Sequence, residues 1–161
     1  MNKEKIFKIK IQCRDEERWI ELPFEGEINK ECKIVDCKTK LFIKKEMVYC
    51  SELYELNTLA FLVKRIGEIK LKKLNMILSS NKFSKTVTDV ITLIDIIDDF
   101  VVMDNVSSYS DLGKKYVKSN NGLTYEEIGR IIVESQDGIF LSNNKYLYCL
   151  NKNYLEQFKY L

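Results

Sequence analysis

The feature that most limits what this chain can fold into is a change in the period of its apolar residues near position 50. Residues 5–12, KIFKIKIQ, alternate apolar and basic, which is the period of a strand with one face in solvent. RWIELPF (18–24) reads as its partner, with RDEE as the turn and Pro23 at the strand's end. EGEINKE reads as one short helical turn, and KIVDC and LFIKK as two further short strands. From Ser51 the spacing becomes helical. Leu53, Leu56, Leu59, Ala60, Val63 and Ile66 form one stripe, which Gly67 is expected to end. Ser51 with Glu55 comes close to a capping box without meeting its strict spacing.

The helical pattern continues. EIKLKKLNMILSS presents Leu71, Leu74, Ile77 and Leu78 on one face. SKTVTDVITLIDIIDDF presents Val87, Val90, Ile91, Ile94 and Ile97, and it is too long for an ordinary strand. After position 100 the types mix. FVVMD reads as a strand. SYSDLGKKYVKS and TYEEIGRIIVE read as helices opened by Ser or Thr caps. DGIFLSNNKYLYCL reads as a hairpin turning at SNNK, and NKNYLEQFKYL as a closing helix. The expectation is an α+β protein in three small parts: a β-rich segment (1–50), a helical middle (51–100) and an α+β tail (101–161). No internal repeat stands out.

Composition narrows the chemistry. Of the 161 residues, 45% are hydrophobic, enough for a folded core. One Pro and six Gly leave little material for long flexible linkers. No apolar run is long enough to span a bilayer. The charged, alternating N-terminus lacks the pattern of a secretory signal, so the expected location is the cytosol. There is no His, which removes the Ser-His and Cys-His pairs and the commonest general base near neutral pH. GxSxG, P-loop and GxGxxG motifs are absent, so the expectation is a non-enzyme without cofactor. Five Cys, at 13, 32, 37, 50 and 149, form no CxxC pair. Their spacing suits no zinc site, and buried reduced thiols are expected.

Charge is sorted along the chain although the net value is only +2. Between Lys64 and Lys85 lie seven bases and one acid, Glu68. Between Thr86 and Gly113 lie six acids and no base: Asp89, Asp95, Asp98, Asp99, Asp104 and Asp111. Lys64, Arg65, Lys70, Lys72 and Lys73 read either as the solvated face of an amphipathic helix or as phosphate contacts. The aspartates read either as a solvated face with caps or as a row that imitates phosphates and enters the cationic groove of a DNA-handling enzyme. Asp95 and Asp98 or Asp99 lie three or four apart on the expected third helix, hence on one side. No loop with Ca²⁺ spacing accompanies them, so no metal is expected.

Four segments taken in order, WIELPFE, ELYELNTLAFLV, DDFVVMDNVSSYSDLGKKYV and YEEIGRIIVESQDGIF, resemble the ArdA-type antirestriction proteins of conjugative elements and phages. The resemblance runs from about Trp19 to Phe140. The last segment carries the pattern of the family's antirestriction motif at Tyr125, Gly129, Arg130, Glu134, Gly138 and Phe140. The resemblance implies an elongated molecule of three small subdomains, paired into a dimer through the tail. It also implies a surface that imitates bent duplex DNA and blocks Type I restriction-modification enzymes, with neither catalysis nor cofactor. This chain departs from the family in being slightly basic, in having Ile131 after Gly-Arg, and in having Ser135 and Gln136 where the family has paired acids. Two accounts fit the departure. Mimicry is confined to 86–113, or the scaffold is directed at another host defence such as a CRISPR nuclease or its guide RNA. On the residues alone, Tyr125, Ile128, Ile131 and Ile132 read as a helical stripe, with Gly138 at a turn and Phe140 packed on a strand. A different class stays open beside this one: a small nucleic-acid-binding accessory protein of a mobile element that uses 64–85 on phosphates.

Overall fold

The computed structural model describes residues 5–28, 31–118 and 122–158. The fold is mixed α+β, with strands first, helices in the middle and an α+β tail. The chain divides into two compact units, 1–97 and 98–161, so the expected β-rich and helical parts fall together in the first.

In the first unit, β1 (Phe7–Cys13), β2 (Glu16–Leu22) and β3 (Lys33–Thr39) form an antiparallel sheet in the order β2-β1-β3. The alternation read from the sequence sets its faces. Phe7, Ile9, Ile11, Leu22 and Cys37 are buried on one side, while Lys8 and Lys38 stand on the other. The β1–β2 turn is tighter than RDEE suggested. Cys13 pairs with Glu16, and Arg14 takes a positive φ of 59°. Residues 25–28 of EGEINKE form no helical turn, and part of that stretch lies outside the described residues.

Two further expectations fail in this part of the unit. The first concerns the thiols. Cys13 and Cys32 form a disulfide that joins the end of β1 to the approach to β3, across a separation of 19 residues. Of the three Cys outside the disulfide, Cys37 and Cys149 are buried and Cys50 is exposed. A sequence separation carries no information on which Cys pairs with which, so spacing alone hid the bond. The second is LFIKK, which is not a strand. Residues 41–43 are irregular and α1 (Lys45–Tyr49) follows. The reason lies on the long helix α2 (Leu53–Ser79). Its Asn75 accepts the Phe42 N–H at 2.9 Å and donates to the Lys40 carbonyl at 3.4 Å, occupying backbone groups that a ladder would need. Asn57, buried on the same helix, clasps both backbone groups of Phe24 in the same way, at 2.8 and 3.0 Å.

Gly67 interrupts α2 with φ 80° and ψ 171°, so the two expected helices exist, joined at an elbow. The cap sits one residue later than expected, with the Glu52 N–H donating to Glu55 at 3.2 Å. The third helix is shorter than its apolar stripe. α3 (Val87–Asp95) starts at a Thr86–Asp89 capping box, and Ile97–Asp99 form a 3-10 turn. Phe100 is buried and pairs with Cys149 in a sheet, which pulls the end of SKTVTDVITLIDIIDDF out of the helix.

The second unit holds β4 (Phe100–Asp104), α4 (Tyr109–Tyr116), α5 (Tyr125–Gln136), β5 (Ile139–Leu141), β6 (Lys145–Cys149) and α6 (Lys152–Glu156). The sheet order is β4-β6-β5. The β5–β6 turn uses Asn143 and Asn144 at φ 63° and 57°, as SNNK suggested. Val106, Leu112 and Tyr146 form a fully buried cluster with Met103, Ile132, Val133, Phe140 and Tyr148 packed against it.

Candidate functional site

The segment with the antirestriction pattern is one half of a pair of interlocked helices. Ser108 caps α4, with Asp111 N–H bonded to its hydroxyl at 3.1 Å. Thr124 caps α5, with Glu127 N–H bonded to its hydroxyl at 3.1 Å. Counting from each cap, the two helices carry the same types in the same places: Tyr109 and Tyr125, Asp111 and Glu127, Leu112 and Ile128, Gly113 and Gly129, Lys114 and Arg130. Their contacts are reciprocal. A Cβ on Gly113 would lie 2.1 Å from the Tyr125 carbonyl oxygen, and one on Gly129 would lie 1.9 Å from that of Tyr109. Lys114 Nζ stands 5.8 Å from the Tyr125 ring centre, and the Arg130 guanidinium stands 4.5 Å from that of Tyr109. No repeat was evident from the sequence. The signal was there as a seven-residue pattern recurring after 16 residues, too short to register among periodic segments.

Two further motif positions, Gly138 and Phe140, serve the same packing. Phe140 meets Tyr109 edge-on at 5.3 Å and Tyr146 at 5.3 Å. Gly138 leaves room for the Tyr146 hydroxyl, which an added Cβ would approach to 1.9 Å. That hydroxyl donates to Gln136 Oε1 at 2.9 Å, and Gln136 Nε2 donates to Tyr116 at 2.8 Å. Burial pushes the Tyr146 phenol up, and burial with Tyr116 beside it pushes Tyr148 up to about 12. Arg130 is held by Glu126 at 2.8 Å. Glu134 is exposed. The expected stripe needs one correction: Ile131 is 55% exposed, and the buried side of α5 runs through Gly129, Ile132 and Val133. Tyr125, Ile128 and Ile132 are partly buried as expected, and Gly129, at the contact with Tyr109 of α4, is the buried position that an apolar stripe does not mark.

The six aspartates do not lie on one helix. α3 ends at Asp95, and Asp98 and Asp99 belong to the 3-10 turn, so the helical spacing expected for them does not exist. Asp89 and Asp95 belong to the first unit, and Asp98, Asp99, Asp104 and Asp111 to the second. Several have fixed carboxylates. Asp89 accepts the Lys85 and Thr86 N–H groups at 2.8 and 3.0 Å. Asp99 accepts from the Asn151 side chain at 3.3 Å. Asp111 accepts the Ser107 N–H at 3.2 Å and hydroxyl at 3.0 Å, and these bonds hold its carboxyl below the usual range. Asp104 is ion-paired with Lys145, its cross-strand partner. Asp95 and Asp98 are exposed.

In the basic stretch Lys64, Arg65, Lys70 and Lys72 are exposed and Lys73 is half-buried. They flank the Gly67 elbow together with Ile69, which is 87% exposed. A hollow of about 350 Å³ beside Cys32 is lined by Tyr49, Ser51 and Tyr54 with a single carboxylate, Glu52. Another of about 230 Å³ in the second unit is lined by charges of both signs, Asp137, Lys152 and Glu156. Among the described residues no group of three or more His, Cys, Asp or Glu could hold a metal ion. No described helix is long and apolar enough to cross a membrane. No family model matches the chain, and neither does any curated protein.

Proposed function

We propose that the protein inhibits a host nucleic-acid-targeting defence enzyme, a Type I restriction-modification enzyme or a CRISPR nuclease, by stoichiometric binding and partial DNA mimicry. The observation that carries this reading is the fixing of carboxylates in a stretch without bases. Asp89, Asp99 and Asp111 are each held by backbone or side-chain donors, and Asp111 is held ionised. A phosphate decoy requires charges that are already positioned, because ordering them on binding costs conformational entropy. The Lys145 partner of Asp104 weakens that position as a mimic, so Asp89, Asp99 and Asp111 carry the reading, and exposed Asp95 and Asp98 add carboxylates from the same stretch. The ordered resemblance to ArdA-type proteins supports the same class. Pairing of two copies through the second unit accompanies it, supported by exposed Tyr116, Leu123, Ile131 and Leu150.

The test is capture of purified Type I enzyme or CRISPR nuclease on the immobilised protein, at low salt and at about 1 M, where screening acts over about 3 Å. Capture at low salt that is lost at high salt is expected. Capture unchanged at high salt, or none with either enzyme, contradicts a charge-led decoy.

A second reading rests on the elbow. Exposed Lys64, Arg65, Lys70 and Lys72 around Gly67 suit an accessory protein that contacts nucleic-acid phosphates directly. A gel shift with plain duplex DNA separates the two, because the decoy does not bind it.

A further inference from the structure

The sheet of the first unit buries one face and leaves the other to solvent. Strand pairing sets the open face in three rows: Glu21, Lys8 and Lys38; Trp19, Lys10 and Asp36; Glu17, Gln12 and Lys33. Trp19 is the one Trp of the chain and is 38% exposed. Two ammonium groups stand at its ring: Lys38 Nζ 5.1 Å and Lys8 Nζ 5.7 Å from the centre. Lys38 comes from β3 and reaches past β1 to a ring on β2. Two of the three acids on this face are engaged by other groups. Glu17 pairs with Lys10 at 2.7 Å, and Asp36 accepts the Cys37 N–H at 2.7 Å and faces Lys45 at 3.5 Å.

We propose that this face binds single-stranded nucleic acid, with an unpaired base stacked on Trp19 and Lys8 and Lys38 on the flanking phosphates. An aromatic ring set among lysines on an open sheet is the arrangement that sequence-tolerant single-strand binders use. The π-face accepts any base and the cations track the backbone. The ammonium groups that now lie at the ring are on flexible stems, and they exchange the ring for phosphate oxygens when a base takes their place. A duplex keeps its bases stacked inside and cannot offer one to the indole, so the site discriminates by strandedness. The inference does not rest on the decoy reading, which uses other residues.

The single Trp makes the test direct. The full chain is titrated with an oligothymidylate of about 15 nucleotides while its Trp emission is followed, and labelled-oligonucleotide anisotropy reports the variants. Saturable quenching is expected. With two phosphate contacts, affinity falls about sevenfold between roughly 50 and 200 mM salt. Trp19→Ala weakens binding about fivefold or more, whereas Trp19→Phe retains most of it. Lys8→Ala with Lys38→Ala weakens it and flattens the salt dependence, and a duplex of the same length binds at least about tenfold more weakly. Lys115→Ala with Lys118→Ala, exposed lysines of the second unit, leaves all of this unchanged. The proposal is overturned by an absence of quenching, by equal binding of duplex, by unchanged binding of Trp19→Ala, or by an equal loss in the Lys115/Lys118 variant. If Trp19→Ala does not fold, the quenching and the lysine pair decide the matter.

Discussion

At the scale of single residues, the most informative positions are the glycines where α4 and α5 meet. A methyl on Gly129 or Gly113 would overlap a backbone carbonyl of the opposite helix, and backbone cannot swing aside as a side chain can. Gly129→Ala is expected to cost about 1–3 kcal/mol or more in urea unfolding, and loss below a few tenths would show that the helices are not in contact there. The buried phenols supply a second residue-level test. Tyr148 is raised from 10.0 to about 12 and Tyr146 is raised also, so the folded form favours both neutral. Their contribution is present below pH 10 and is lost as pH rises through the folded values. Spectrophotometric titration should show tyrosinate forming late in the native protein, with alkaline unfolding between about pH 10 and 12. Native-state ionisation of all nine Tyr near 10 would contradict this. The sequence announced the residue types of this cluster but not their partners. The Tyr-Gly-Arg string was legible as a motif, and what it touches depended on a second, similar string that only the folded contacts make visible.

At the scale of elements, period and caps did most of the work. The lysine-isoleucine alternation of β1 and the Ser108 and Thr124 caps were legible because the physics is local. LFIKK and the end of α3 were not, because distant groups decide them: Asn75 across 33 residues for Phe42, and β6 for Phe100. The disulfide belongs to the same class of non-local fact. Gly67 is the element-level position to test. It has open space around it, so only its backbone angles object to a side chain. Gly67→Ala is expected to destabilise by about 1–3 kcal/mol or to straighten α2 with a gain in helical circular dichroism. A variant with the parent's stability and spectrum would show that the elbow is not built into the fold.

At the scale of the molecule, the charge pattern is real, but its geometry differs from the one read along the chain. The acidic stretch crosses from one unit to the other, and its carboxylates sit at caps and turns rather than along one helix. The proposed decoy would therefore offer individually anchored carboxylates rather than a helical row, and the proposed pairing through the second unit would bring two sets of them together. Ile131→Asp, at an exposed apolar position on α5, is expected to convert a dimer to a monomer in sedimentation velocity without loss of fold. A parent chain that sediments as a monomer throughout would remove the dimer from the account. The central claim concerns what the assembled surface does to an enzyme that handles DNA. It is tested most directly by DNA cleavage with a purified Type I restriction enzyme or CRISPR nuclease, titrated with this protein at two DNA concentrations. The account predicts inhibition that saturates at a fixed molar ratio, recedes with added DNA and is weakened by Asp95→Asn with Asp98→Asn. Full cleavage in excess protein, or inhibition indifferent to both DNA and those aspartates, would contradict it.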